Sequence, residues 1–389
     1  MTRGPFHMPR ASLALILIPC TLLTAASLPR FQARTIATGL AGGYQVIAAD
    51  VNGDGKPDLV ALASGMSELL WFENPSWERR VLATGQSRMI NLAALTPAGE
   101  RIPEFLLASA FSNEASKSLG IVSLLRHRGD PRQPWEVREI DRLPTSHRIR
   151  VADFDGGGKV FVNAPLTGPE AQGPEYRGRT PLVYYRPGEW KRRLIGDENE
   201  GVVHGFTVFD WDGDGRDEIL TASFVGIHLY RFSNGRWTRT ELAKGDPAPW
   251  PRSGASEIAV GHLGGRRFLC SIEPWHGNQL AVYREDKGVW RRRVIDDSYV
   301  DGHTVHTADF NADGRDEIVA GFRGKGHHAY LYSASGAQDE RWTRHVLDNE
   351  VAVASCEAAD FNGDARPDIA CIGSSTANLK LYINEGTTP

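Results

Sequence analysis

The sequence predicts an all-β fold, a seven-bladed β-propeller with four short strands in each blade. Three observations predict it. A tryptophan that introduces a β-type stretch recurs along the chain, a short acidic loop recurs at the same place in several units, and the two ends of the repeated region hold complementary parts of one unit. The recurring tryptophans are 47 to 58 residues apart. They are Trp77, Trp135, Trp190, Trp237, Trp290 and Trp342.

Each unit contains enough β-type segments for one blade. In the sixth unit a strand is predicted at 304–308, an acidic loop follows at 309–317, and further strands are predicted at 318–322 and 329–333 before the next tryptophan. Four short strands in about 50 residues, joined by glycine-rich turns, are typical of a propeller blade.

The two ends of the repeated region complete one blade between them. A lone strand is predicted at 31–36, and the last unit ends after 379–384 with only three strands. We therefore expect the N-terminal strand to pair with the last blade and close the ring, because closure protects edges that an open sheet would expose. Residues 31–389 are predicted to form this one propeller domain.

The first 27 residues have the pattern of a targeting segment. Arg3 and Arg10 precede an apolar run at 11–26 that ends in small residues, which is the order found in secretory signals. The run is shorter than the ~20 residues that span a bilayer. We predict a signal peptide at 1–27, a secreted or periplasmic protein, and no membrane span after cleavage. The net charge of −4 does not indicate a nucleic-acid partner.

Three cysteines follow the predicted signal peptide. Cys356 and Cys371 fall on strands that should be adjacent in one blade, so a disulfide is conceivable in an oxidising compartment. The favoured interpretation is that both, like Cys270, are buried thiols, because three cysteines do not make a disulfide framework.

Four units carry an acidic loop of the form Asp-x-(Asp/Asn)-x-Asp with a further acid at the ninth position. Alternating oxygen ligands followed by a later carboxylate can surround a hard cation, so the loops predict up to four structural Ca²⁺ ions. Ala365 replaces the usual sixth-position glycine in the last copy. The predicted ligands are Asp50, Asn52, Asp54 and Asp58; Asp210, Asp212, Asp214 and Glu218; Asp309, Asn311, Asp313 and Glu317; and Asp360, Asn362, Asp364 and Asp368.

These loops resemble the FG-GAP/VCBS family of calcium-loop propellers, whose repeats read like residues 360–368. The resemblance extends over the whole predicted propeller and implies that the ions are structural. The corresponding loops of the other three units, after Leu95, at 153–159 and at 261–266, lack the full acid pattern. We expect them to be metal-free turns.

A group of histidines is predicted on the opposite face of the ring. Six residues before the first acidic-loop position stand His147, His204 and His303 in units three, four and six. Three neutral imidazoles with an open position predict a second divalent ion, of the Zn²⁺ or Mg²⁺ class. The alternative is that each is an ordinary histidine at a strand end. His306 and Arg150 lie on the alternate side of their strands, so the pattern does not settle which side chains face the axis.

Other polar residues are predicted on the same face. Glu273 and His276 lie in one turn, Arg148 follows His147, and Arg323 begins the matching turn of unit six. Unit three carries an insertion at 166–180 on this face. Glu257 stands in a mainly apolar row and is a candidate to orient one of the histidines.

These segments also resemble the propeller domain of fungal aldos-2-ulose dehydratases, in the same order along the chain. The resemblance implies metal-dependent β-elimination of water or a glycosyl group from a keto-sugar. His276, held near Glu273, is the expected base, and Arg148 or Arg323 is expected to stabilise the enolate. Only the elimination half of that family's chemistry is implied, because the resemblance covers the propeller alone. The matching segments are 146–150, 203–204, 245–247, 253–255, 270–278 and 303–314.

Two other functional classes compete with a keto-sugar lyase. Calcium-loop propellers also serve as non-catalytic modules that bind glycans or proteins, and a fold alone does not determine function. A hydrolase that uses the second metal is the third class. The histidine cluster favours an enzyme, because a binding module does not need three convergent imidazoles.

Overall fold

The computed structural model describes Met1, residues 28–336 and residues 341–387. Apart from Met1, the predicted signal peptide lies outside the described residues. Within them the fold is all-β, with seven four-stranded antiparallel sheets and one 3₁₀ turn at Ala115–Lys117. The described residues contain no helix that is long and apolar enough to cross a bilayer.

The blades follow one another along the chain, each beginning with its innermost strand. Blade 1 contains β2 (Gly43–Ala49), β3 (Asp58–Ala63), β4 (Leu69–Glu73) and β5 (Glu78–Ala83); blade 2, β6 (Asn91–Leu95), β7 (Glu104–Ser109), β8 (Ile121–Arg126) and β9 (Glu136–Arg142); blade 3, β10 (Ser146–Ala152), β11 (Val160–Pro165), β12 (Arg179–Tyr185) and β13 (Arg193–Glu200); blade 4, β14 (Val203–Phe209), β15 (Glu218–Ser223), β16 (Gly226–Ser233) and β17 (Arg236–Ala243); blade 5, β18 (Glu257–Leu263), β19 (Arg266–Glu273), β20 (Gln279–Asp286) and β21 (Val289–Asp296); blade 6, β22 (Gly302–Ala308), β23 (Glu317–Phe322), β24 (His328–Ser335) and β25 (Arg341–Asp348); and blade 7, β26 (Val353–Ala359), β27 (Asp368–Gly373), β28 (Asn378–Thr387) and β1 (Pro29–Thr38).

The ring closes as the sequence predicts. The inner strands contact one another in the order β2, β6, β10, β14, β18, β22, β26 and back to β2. The N-terminal strand β1 pairs antiparallel with β28 and forms the outer edge of blade 7, with Ala33 opposite Tyr382. The chain therefore joins its two ends by a sheet ladder within one blade.

The recurring tryptophans pack against neighbouring aromatic rings, in several cases across a blade boundary. Trp77 of blade 1 contacts Phe361 of blade 7, with ring centroids 6.1 Å apart. Trp237 of blade 4 lies 4.5 Å from Phe154 in the loop of blade 3. A large ring at the start of an outer strand can thus cover the loop of the blade before it, which gives a physical reason for the repeat.

Cys356 and Cys371 form a disulfide, so the expectation of free thiols is wrong for this pair. They lie directly opposite each other on β26 and β27, with their Cα atoms 4.1 Å apart. The register of these strands brings the two sulfurs together, which the sequence spacing alone did not establish. Cys270 is a buried free cysteine, as expected.

Candidate active site

The acidic loops join the innermost strand of a blade to the second strand. In blade 6 the Asp309 carboxylate accepts hydrogen bonds from the backbone N–H groups of Asp313 (3.0 Å) and Gly314 (2.8 Å). The ninth-position acid, Glu317, is buried and accepts the N–H of Phe310 (3.0 Å). Burial raises the pKa of Glu317 to about 8, so an uncompensated charge is costly there.

The alanine in the last acidic loop keeps the same backbone arrangement. Ala365 adopts φ 66°, in the left-handed region that usually favours glycine. Its N–H donates to Asp360 over 2.7 Å, as that of Gly314 does to Asp309. In blade 4, ligand atoms of Asp210, Asp212 and Glu218 lie within 4.8 Å of one another. The donor sets of these loops therefore suit a hard cation.

The acid-poor loops of blades 2 and 3 contain arginine contacts, as does the acid-rich loop of blade 4, where Arg231 pairs with Asp212 and Glu218. In blade 3 the Arg186 guanidinium donates to the Asp155 carboxylate (2.6 Å) and to the carbonyl of Gly157 (2.8 Å). In blade 2 Glu104 forms an ion pair with Arg126 (2.6 Å). A side-chain cation can compensate the remaining acids where the full set of metal ligands has been lost.

Four imidazoles converge at the opposite face, around the ring axis. His147, His204 and His303 are the second residues of β10, β14 and β22. His276 lies in the turn after β19. The ring of His204 is central, with centroid distances of 4.9 Å to His147, 4.8 Å to His276 and 5.0 Å to His303. The expected histidine cluster is thus formed, and His276 is part of it.

Three of these histidines, His204, His276 and His303, have ligand atoms within 4.8 Å of one another. Each Nδ1 atom has a polar neighbour. Nδ1 of His204 lies 3.1 Å from Glu257 Oε1, Nδ1 of His276 lies 3.2 Å from Asp301 Oδ1, and Nδ1 of His303 contacts the carbonyl of Ala354. A proton on Nδ1 of His204 and His303 leaves their Nε2 lone pairs free, which is the usual tautomer of metal-binding histidines, whereas the Arg323 guanidinium lies 3.3 Å from Nδ1 of His276.

The electrostatics of the triad favour a bound cation. Burial lowers the pKa of His204 to about 4 and places the pKa values of His276 and His303 well below their usual value, so all three rings are neutral at pH 7. The Nε2 atoms of His204 and His276 are 3.1 Å apart. The buried Nε2 of His303 has no hydrogen-bond partner. The Nε2 atoms of His204 and His276 can form a hydrogen bond when one of them is protonated, and a divalent ion fits the donor set when both are unprotonated.

His147 is placed differently from the other three. Its Nε2 lies 2.9 Å from the hydroxyl of Tyr44, and its ring contacts Phe111. The three histidines that lie closest together are therefore His204, His276 and His303, whereas the repeat pattern had grouped His147 with His204 and His303. The reason is geometric, because the turn after β19 carries His276 to the axis, while Tyr44 from blade 1 binds His147 at the side.

A buried ion pair supports the cluster from below. Arg148 Nε donates to Glu257 Oε1 over 3.2 Å, and the same oxygen faces His204. Burial alone would raise the pKa of Glu257, but Arg148 and His204 outweigh it and hold that pKa at about 2. Glu257 is therefore an anion that orients His204, the role the sequence analysis considered for it.

Glu273 does not hold His276, contrary to the expectation. Its carboxylate is fully buried within blade 5, where it contacts the Tyr283 hydroxyl and accepts from Arg292 Nε (2.6 Å). His276 instead faces Asp301 from blade 6, a residue that the sequence analysis missed. Arg323 donates to Asp301 over 2.8 Å and lies 3.3 Å from His276 Nδ1. The sequence does not show that the loops of blades 5 and 6 approach each other, so it could not identify Asp301 as the neighbour of His276.

The turn that carries His276 is tightly constrained. His276 has φ 50°, and the next N–H, of Gly277, donates to Pro274 O over 2.8 Å. A Cβ on Gly277 would lie 2.2 Å from the carbonyl oxygen of Glu273, so only glycine fits. A non-glycine residue in the left-handed region at the centre of a cluster is a feature often found at functional sites.

Two cavities adjoin the cluster. An outer pocket of about 540 Å³ on the histidine face is lined by His276, Asp301, Tyr176, Phe224 and Trp275, among others. On the inner side, a cavity of about 90 Å³ along the axis is lined by residues that include Tyr44, Arg148, Glu257 and His303. Arg150 and His306 also line this inner cavity, below the histidine cluster. Only the outer pocket is large enough for an organic ligand.

Comparison with known proteins agrees with both resemblances. Residues 119–286 match the model of the aldos-2-ulose dehydratase β-propeller domain, and residues 42–65 and 309–371 match FG-GAP and FG-GAP-like repeats. The chain is a seven-bladed propeller with segments similar to FG-GAP repeats and to the propeller domain of aldos-2-ulose dehydratases. The match to the dehydratase domain contains His147, His204 and His276, whereas Asp301 and His303 lie beyond it.

Two curated proteins are similar to this propeller. Aldos-2-ulose dehydratase of Phanerodontia chrysosporium is 26% identical over 348 residues, covering 77% of this chain and 38% of that protein. Integrin alpha pat-2 of Caenorhabditis briggsae is 23% identical over 276 residues, covering 66% of this chain and 20% of that protein. The chain thus spans well under half the length of each relative.

Proposed function

We propose that this protein is a metal-dependent lyase that eliminates water or a glycosyl group from keto-sugars. The observation that carries the proposal is the triad of neutral histidines, which have ligand nitrogens within 4.8 Å of one another beside a pocket of organic-ligand size. The similarity to aldos-2-ulose dehydratase supports the substrate class. A carbohydrate or keto-sugar is the proposed partner.

His204, His276 and His303 are the proposed metal ligands. Three imidazole nitrogens suit an ion of the zinc class better than Mg²⁺, which prefers oxygen ligands. Such an ion, when bound, supplies Lewis acidity that makes the C–H next to a ketone easier to remove. Glu257 and the carbonyl of Ala354 are the proposed acceptors of the His204 and His303 Nδ1 protons, and Asp301 is proposed to take that role for His276 once the ion is bound.

The Tyr44–His147 pair is the proposed proton acceptor, because the ring of His276 is committed to the triad. The Tyr44 hydroxyl lies 2.9 Å from His147 Nε2, and the Tyr44 ring lies 5.2 Å from that of His303 on the inner side of the triad. The hydroxyl is proposed to take a proton from a substrate carbon that reaches past the triad while it passes its own proton to the ring. Burial and the charge of Arg148 keep the pKa of His147 well below its usual value, so the ring is neutral and has a free site for a proton but is a weak base.

The remaining step breaks the bond between the β-carbon and its oxygen. The electron pair of the C–H bond forms the new double bond, the oxygen leaves with the electrons of the C–O bond and takes up a proton, and the product is a conjugated enone. Arg148 lies 3.5 Å from the Tyr44 hydroxyl, and Arg323 lies beside His276. Both guanidinium groups are placed to offset the negative charge that develops on the substrate.

The acidic loops are proposed to bind up to four structural Ca²⁺ ions. Their donor sets, the burial of the ninth-position acids and the match to FG-GAP repeats support this role. Export to a secreted or periplasmic location is proposed with it. The disulfide between Cys356 and Cys371 agrees with an oxidising compartment.

The test is a near-ultraviolet assay for the enone. Purified protein supplied with Zn²⁺ and Ca²⁺ is incubated with 1,5-anhydrofructose, a 3-keto-glycoside, or the unoxidised parent sugar. We expect an absorbance rise with a keto-sugar and none with the parent sugar. If neither keto-sugar yields an enone, the lyase proposal is wrong. A glycan- or protein-binding module then becomes the leading function, which the similarity to an integrin alpha chain favours.

A further inference from the structure

The outer pocket meets the histidine triad on its one open side. His204 and His303 are each only 1% exposed, whereas the side chain of His276 is 29% exposed. His276 and Asp301 line the pocket as well as the cluster. A ligand that reaches the triad from solvent therefore passes through or lies in this pocket.

Part of the pocket wall is aromatic. Tyr176 packs edge-on against Trp275 with centroids 5.4 Å apart, and Phe224 lies 5.8 Å from Trp275. Trp275 in turn contacts the ring of His276 at 5.0 Å. Flat apolar rings next to polar groups form the kind of surface that binds an amphipathic ring.

The wall is held in place by contacts between blades. Tyr176 comes from the insertion of blade 3, and it belongs to a small hydrophobic cluster with Leu166 and Phe224. The Trp250 indole donates to the carbonyl of Glu175 over 2.8 Å and so ties the insertion to the loop before blade 5. The pocket is thus preorganised, which lowers the entropy cost of binding.

Polar side chains also line the pocket. Asp301, Asn278 and Arg252 are among them, and Asn278 is exposed. A ring with hydroxyl groups on its edge and C–H groups on its face can contact both the aromatic and the polar side chains. The volume of about 540 Å³ is larger than a single sugar ring needs, so the pocket has room beyond the ring that reacts.

We infer that the Tyr176–Trp275 wall binds a second ring, the leaving group of the substrate, so that the preferred substrate is a keto-glycoside and the group expelled is an alcohol or a sugar. The inference rests on the proposed function. The C–H proton goes to the Tyr44–His147 pair, the glycosidic C–O bond breaks, and the departing oxygen is protonated to give a free hydroxyl group. No oxidant or reductant is consumed.

The experiment compares Trp275→Ala with Trp290→Ala, a half-buried tryptophan on the outer strand of the same blade. Turnover is measured on a 3-keto-disaccharide and on 1,5-anhydrofructose, which has one ring. We expect Trp275→Ala to lower kcat/KM for the disaccharide about tenfold or more, the scale of one lost aromatic contact, and to change that for anhydrofructose less than about twofold. Trp290→Ala should change neither.

A binding measurement distinguishes this inference from the proposed function. Calorimetry with unoxidised cellobiose and with glucose measures binding without requiring the elimination reaction. We expect wild type to bind cellobiose more tightly than glucose, and Trp275→Ala to remove the difference. Cellobiose binding without turnover of any keto-sugar would uphold the second-ring site and overturn the lyase. Turnover with equal losses on both substrates, or no preference for cellobiose, would overturn the second-ring site alone.

Discussion

On one face of the ring, the acidic loops of blades 1, 4, 6 and 7 share one pattern, whereas on the other face the blades contribute different side chains to a single centre. Asp309 and Asp360, in different blades, accept backbone N–H groups in the same way. The histidine triad takes His204 from blade 4, His276 from blade 5 and His303 from blade 6.

The difference shows how a repeat can carry two functions. An acidic loop is complete within nine residues, so each copy can be kept or lost independently, as the acid-poor loop of blade 3 with Arg186 illustrates. The histidine centre exists only when the ring is closed, because its members are far apart in sequence. Stability can therefore be altered blade by blade, while activity depends on the whole ring.

The largest expected effect separates His147 from His276. His276→Ala removes a ligand of the triad and should lower the zinc affinity more than ~100-fold, beyond the usual cost of a disturbed outer contact. His147→Ala should retain the metal and lower kcat by ~10²-fold or more, the scale for loss of a general base. Elemental analysis and the enone assay check both. Loss of metal in His147→Ala, with retention in His276→Ala, would restore the grouping that the sequence suggested.

Calcium removal should affect stability on the other face. A chelator leaves carboxylates clustered in four loops. Each bound ion adds about 2.7 kcal/mol to the free energy of unfolding when the free Ca²⁺ concentration is 100 times its Kd. We expect the melting temperature to fall by roughly 10 °C and to recover when Ca²⁺ is added. Asp212→Ala should weaken this response and leave turnover at saturating Ca²⁺ largely unchanged. An identical melting curve in excess chelator would contradict the calcium assignment.

A smaller effect should appear as a pH dependence. Because the pKa of Glu317 is raised to about 8, the folded protein keeps a proton there that the unfolded chain loses near pH 4.5. The metal-free protein should therefore lose stability as the pH rises between about 5 and 8. Melting temperatures in chelator across this range should fall less for Glu317→Gln than for wild type, with the exposed Glu136→Gln as the control. Equal slopes in all three would refute this cause.

The smallest effect concerns the arginine in blade 3. Arg186→Ala removes an ion pair and carbonyl hydrogen bonds at a partly exposed loop, and should cost about 1 kcal/mol. Added Ca²⁺ should not restore that stability, because the loop lacks the full ligand set. The more exposed Arg79→Ala, which removes the pair with Glu68, should cost less. Chemical denaturation measures both, and a full calcium rescue of Arg186→Ala would show that a metal site remains there.

The fold was predictable from the sequence because its signals are local and repeated. The tryptophan spacing, the acidic loops and the complementary ends led to seven blades and to the pairing of β1 with β28. The sequence favoured free thiols over the disulfide, because strand adjacency does not fix the register that sets Cys356 opposite Cys371.

The site was predictable in part. The repeat position located His204 and His303, but the roles of their neighbours depend on distances between blades. Tyr44 stands at the same repeat position as the histidines, six residues before Asp50, but the repeat does not show that it contacts His147. Asp301 lies two residues before His303, and no local pattern shows that it faces His276 of the neighbouring blade. Glu273 lies three residues from His276, yet its carboxylate is buried with Arg292 inside blade 5. Sequence proximity was therefore a poor guide to which acid orients His276.

The metal content of the wild-type protein tests the central claim most directly. Protein expressed with zinc and calcium supplied, then dialysed against Ca²⁺-containing buffer, is assayed for both elements per chain. We predict one zinc-class ion in addition to up to four calcium ions, with the zinc-class ion alone lost in His204→Ala. Wild-type protein that contains calcium only, or a His204→Ala variant that retains its zinc, would contradict a metal centre on the histidine face.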